Sequence, residues 1–247
     1  MEVEWMIGIA ATAIAAVSGF AIAKKRTKKM TDITQEQKIR DEFVAPLLPE
    51  LMSFYQLGIL GVDPFETIDS EKLLKKFYDY SLGLDNPPYD RHDALGHLRE
   101  LTEQMKGGKK ELLEAFFWYL DFSNGILKDT VKAPHPILRE ARQLQKQYAV
   151  WFICYEELEE DAPDSIPELI RYSDYFSVVL KDIELSVFRN MMDDEEMRQQ
   201  RRGNFVRIIF QSLEKEAQGE EELAAIRQFH DHYDKRYTHR HKGEIRF

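Results

Sequence analysis

Cysteine is almost missing from this chain: Cys154 stands alone among 247 residues. That excludes an internal disulfide and fits a reducing compartment. Glycine and proline are sparse, at 12 and 9, which disfavours a turn-rich β fold. No run alternates apolar and polar residues long enough to make a strand. Catalytic signatures are missing too. There is no GxGxxG, P-loop, GxSxG or HExxH, no paired ExxH and no CxxC, so no motif names a reaction and no cofactor is expected. The run Gly107-Gly108-Lys109-Lys110 reads as a helix start after a turn rather than a phosphate loop.

Long apolar runs are equally scarce, and only one is long enough to cross a bilayer. Trp5–Ala23 is uncharged and as a helix extends about 28 Å, close to the hydrocarbon thickness. Glu2 and Glu4 precede it, whereas Lys24, Lys25, Arg26, Lys28 and Lys29 follow it. Cationic residues stay on the cytoplasmic side, so this order puts the N-terminus outside and the rest inside. A cleaved signal peptide needs the opposite charge order. The expectation is a single transmembrane helix in the cell membrane, with residues 1–29 as anchor and basic juxtamembrane segment. The five basic residues also suit anionic lipid headgroups. Ala11, Ala15 and Gly19 make a small-residue stripe on the span, which an alanine-rich segment yields by chance.

What is abundant is helix-forming sequence with a strong core. Hydrophobic residues make up 43% and aromatics 12%, enough for a folded domain. The net charge of -10 is uneven. The first 30 residues hold two acids and five bases, which leaves -13 for the remainder. Such a body is a poor generic ligand for phosphate backbones, so nucleic acid is not an expected partner.

The patterning predicts an all-α fold, a cytosolic bundle of about eight or nine helices over residues 30–238, followed by a basic tail at 239–247. Pro46 and Pro49 predict two helices, one ending before Pro46 and one from Pro49 to Leu60. Gly58 to Thr67 reads as a loop. Asp69 or Ser70 caps a helix carrying Leu73, Leu74 and Phe77. Further helices follow over Tyr89–Met105 and Lys109–Phe122, the latter ending or kinking at Asn124-Gly125. The clearest pattern is the seam Ile137, Ala141, Leu144, Tyr148, Trp151, Tyr155, Leu158, at alternating spacings of four and three. A long helix from Ile166 to Met191 comes next. Asp193 with Glu196 then resembles a capping box. Cys154 lies in Tyr148–Tyr155 and is expected in the core.

Few side chains suggest chemistry. His230, His232, His239 and His241 crowd the C-terminus, but on a helix His230 and His232 face about 200° apart and cannot chelate together. The clusters at Glu156–Asp164 and Asp193–Glu196 read as a solvated helix end and an acidic helix start. The net +4 of Lys235–Phe247 reads as a solvated tail.

One spacing stands out. Arg91 and His97 have five residues between them, while Arg227/His232 and Arg236/His241 have four. An arginine followed after four to six residues by histidine resembles the signature of the HEPN ribonucleases, helical-bundle proteins whose motif helices pair across a dimer. The resemblance covers only those residues. It implies Arg91 as stabiliser of phosphoryl charge and His97 as general acid or base. The leading expectation is different: a membrane-anchored interaction or scaffold protein that is not an enzyme and engages a protein partner or a second copy of itself.

Overall fold

The computed structural model describes residues 37–84, 92–103, 108–130, 136–158, 176, 178–193, 195–217 and 219–241. The expected span Trp5–Ala23, its five basic residues, Arg91 and residues 242–247 lie outside them. Among the described residues the regular structure is all helical, with no strand, and no helix is long and apolar enough to cross a membrane.

The prolines do not divide the first helix. A π-helical turn, Arg40–Val44, runs directly into α1, Ala45–Ile59. Pro46 falls in the first turn of α1, where a missing N–H is tolerated, and Pro49 lies inside the helix. The π turn shifts the hydrogen-bond register just upstream, with the Ala45 N–H donating to the Arg40 carbonyl. The segment read as a loop contains a single helical turn, α2 (Pro64–Thr67), capped by the Asp63 carboxylate accepting from Phe65 N at 2.8 Å. Helix α3 (Ser70–Leu82) starts as expected, with Asp69 accepting from Lys72 N at 3.0 Å.

Helix α4 is His92–Glu103 and α5 is Lys109–Thr130. Asn124-Gly125 therefore sits inside α5 and does not end it. Helix α6 is Pro136–Leu158. The long helix expected up to Met191 is broken by a turn over residues 180–184, and α7 covers only Leu185–Asp193. Lys146 explains the break. Its side chain is buried and its ammonium donates to the Leu180 carbonyl at 2.9 Å and the Lys181 carbonyl at 3.3 Å. Carbonyls held by an ammonium replace those a continuing helix would use internally. Helices α8 (Glu195–Glu216) and α9 (Glu220–His241) follow, so α9 runs into the expected basic tail at 239–247.

Helices α5 and α6 are the centre of the molecule. Lys110 pairs with Glu156, Phe116 meets Tyr148, and Asp121 accepts from Gln145. Rising numbers on one helix match falling numbers on the other, so the two are antiparallel. Residues 115–120 of α5 and 145–154 of α6 are buried around the whole helical circumference, as expected of helices enclosed on all sides. The seam on α6 marks only one strip of this: Tyr148 and Trp151 are fully buried, Leu144 and Tyr155 partly. Helices α3 and α4 pack on α5, whereas α7, α8 and α9 lean on α6.

Aromatic side chains join the layers. The Phe116 ring lies 5.1 Å from Phe54, 5.9 Å from Phe77 and 4.8 Å from Tyr148, in edge-to-face or tilted geometry, the arrangement aromatic quadrupoles favour. The two buried tyrosines satisfy their hydroxyls on α1 and the turn before it. Tyr119 donates to the Val44 carbonyl at 2.6 Å and Tyr148 to the Leu51 carbonyl at 3.2 Å. Cys154 is buried, as its setting predicted.

Candidate functional site

His97 is the one candidate catalytic residue whose side chain is described. Helix α4 is amphipathic: Ala94, Leu95 and Leu98 are buried and His97 stands at the margin of that face. Its ring stacks on Trp118 of α5, with centroids 4.4 Å apart and planes 19° from parallel. Its Nε2 lies 2.8 Å from Asp193 Oδ1 at the end of α7. The imidazole and the carboxylate remain 41% and 48% exposed. The residue read as a helix cap therefore reaches across to another helix. A half-exposed imidazole held by a carboxylate is oriented and can exchange a proton with solvent. Arg91 lies outside the described residues.

A second polar set lies at the junction of α5, α6 and α7. Asp121 Oδ1 accepts from Gln145 Nε2 at 2.7 Å and from Arg189 Nε at 2.7 Å. Asn124 Nδ2 donates to Gln145 Oε1 at 2.9 Å. Gln145 is fully buried and Asn124 nearly so, and the Asn124 Oδ1 acceptor has no hydrogen-bond partner among the described residues. These residues were not singled out from sequence. The available signal was Asn124-Gly125, two poor helix formers inside an otherwise apolar helix.

The third set ties α8 to α9. Arg207 donates through Nε and a terminal nitrogen to Asp234 Oδ1 at 3.0 and 2.9 Å. His230 Nδ1 contacts Glu214, and Arg227 approaches Glu214 at 3.6 Å. The His230 ring stacks on Phe210. Thus Arg227 and His230, read as parts of possible sites, serve the helix pair. No cluster of three or more His, Cys, Asp or Glu suited to a metal occurs among the described residues.

Electrostatic perturbation follows burial. Burial pushes Lys146 below the ordinary lysine value; Asp182 opposes that shift and Arg142 adds to it. Burial raises Tyr119, Tyr148 and Tyr155 above the usual phenol range. An open depression of about 320 Å³ between α1 and α3 is lined by Glu42, Pro46, Asp79, Tyr80, Gly83 and Leu84.

The class defined by this architecture is an all-α bundle built around two central antiparallel helices. The chain matches no protein-family model, and no characterised protein or solved structure matches it significantly.

Proposed function

We propose that this chain is a membrane-tethered interaction module. One N-terminal helix, Trp5–Ala23, holds an acidic helical bundle at the cytoplasmic face of the cell membrane, where it engages a protein partner or a second copy. The carrying observation is the charge order, an uncharged stretch between Glu2/Glu4 and the five cations at 24–29. Those cations lie beside anionic headgroups in this arrangement, each contributing about 1 kcal/mol of attraction. Tethering confines the bundle to a surface and raises the effective concentration of anything else held there. The test is alkaline carbonate extraction of membranes, combined with protease protection of tags at both ends. The expected result is a carbonate-resistant chain whose C-terminal tag is cleaved only from the cytoplasmic side. Release by carbonate overturns the anchor.

A second reading keeps one observation in its favour. His97 is oriented by Asp193 and reachable from solvent, as a general acid–base requires. A HEPN-like ribonuclease reading makes Arg91→Ala and His97→Ala each abolish RNA cleavage by the purified full chain. Cleavage by neither the wild type nor the variants removes that reading and leaves the tethered module standing.

A further inference from the structure

Buried polar groups are costly unless matched, so a polar set within the central pair invites explanation. Asp121, Asn124 and Gln145 form such a set, between the buried residues Leu120, Phe122, Ile126 and Lys146–Val150. The set is rich in acceptors. Asp121 offers a carboxylate, and Asn124 Oδ1 is buried with no donor among the described residues. The cation meeting this carboxylate is not on α5 or α6. It is Arg189, arriving from α7, 68 residues further along the chain, and its side chain is 46% exposed.

Helix α7 is short; its apolar face packs on α6 and α8, with Phe188 edge-on to Phe205, and its outer face is open. Among its nine residues only Phe188, Met191 and Met192 are buried, while Ser186, Val187, Arg189, Asn190 and Asp193 are exposed. Two polar contacts tie it to α5 and α4: Arg189 to Asp121 and Asp193 to His97. These residues are four apart, one turn along the same face, and all but Asp121 are substantially exposed. Short elements with few buried contacts open locally at lower free energy than enclosed ones such as α5 and α6.

We propose that α7 is a displaceable strap. Arg189 acts as an internal stand-in for the arginine of a partner helix, which docks on the acceptor set of α5 and α6 when α7 lifts. The partner chemistry is the one α7 displays: a helix with an arginine beside an apolar face at spacings of three and four, a helix-in-groove mode. The acceptor geometry, a carboxylate flanked by amides, suits a guanidinium better than a lysine point charge. The proposal names the surface used by the interaction module but does not depend on the membrane anchor.

The test uses the full chain in detergent micelles. Native-state hydrogen exchange is expected to show α7 amides exchanging at least tenfold faster than those of α5 and α6. In the double variant Arg189→Ala/Asp193→Ala the α7 rate rises at least a further tenfold, with α5 and α6 unchanged. A fluorescent peptide copying Glu184–Asp193 is expected to bind the double variant at least tenfold more tightly than wild type. Replacing the peptide's arginine by alanine, or adding Asp121→Asn to the protein, loses that gain. Exchange of α7 at the same rate as α5 and α6 in the unmodified chain overturns the strap, whatever the variants do. Peptide affinity indifferent to its arginine overturns the acceptor site. A chain that fails carbonate extraction yet shows these rates retains the strap and loses the anchor.

Discussion

Single residues show how burial and chemistry trade against each other in this molecule. Tyr119 and Tyr148 are buried and resist ionisation. Unfolded tyrosines lose their protons near pH 10, whereas these keep theirs, so stability falls as pH rises above about 10. Lys146 acts oppositely. Its depressed folded value makes its contribution recover as pH rises toward that of an unfolded lysine, but one lysine is set against three raised tyrosines, Tyr155 included. Alkaline unfolding followed by circular dichroism is therefore expected to begin above about pH 10. The double variant Tyr119→Phe/Tyr148→Phe should move its midpoint to higher pH, even as it loses stability near neutrality. Lys146→Ala removes the donor from the Leu180 and Lys181 carbonyls, and is expected to cost about 1–3 kcal/mol in chemical denaturation at pH 7. His97→Ala forfeits the Trp118 stack and the Asp193 tie. About 1 kcal/mol of lost stability is expected, given the exposure of the pair.

At the level of helices, tertiary packing overrides local punctuation in places. Pro46 and Pro49 predict a break, yet Pro46 is absorbed in the first turn of α1, after a turn that is already π, and the helix continues through Pro49 inside it. Asn124-Gly125 predicted an end to α5, yet packing against α6 outweighs poor local propensity, since Ser123 and Asn124 are enclosed along with Phe122 and Ile126. Gly96 is a different case. It lies inside α4 with open space where a Cβ would stand, so the helix bears the entropic cost of glycine without using its smallness. Gly96→Ala is expected to stabilise the protein by about 0.5–1 kcal/mol, readable as a rise in melting temperature. On α9, Asp234→Ala strips Arg207 of its two hydrogen bonds. Faster hydrogen exchange is expected in α8 and α9, with α5 unchanged.

Across the whole molecule, the sequence by itself determined the class: few glycines and prolines, no period-two runs and a heptad-like seam leave an all-α chain as the consistent outcome. Local rules also placed the Asp69 cap and the buried Cys154, because both depend on near neighbours. The candidate site was legible only in part. His97 lies on a helix, as expected, but nothing local points to Trp118 and Asp193 as its neighbours. The Arg189–Asp121 contact joins residues 68 apart, and no periodicity encodes such a meeting. The seam gave α6 one apolar strip, whereas the fold surrounds residues 145–154 completely and draws Gln145, Lys146 and Gln147 inside. Periodicity reports the preference of one helix for one side. Only the tertiary structure decides how many helices surround it, and so which polar groups must find partners in the interior.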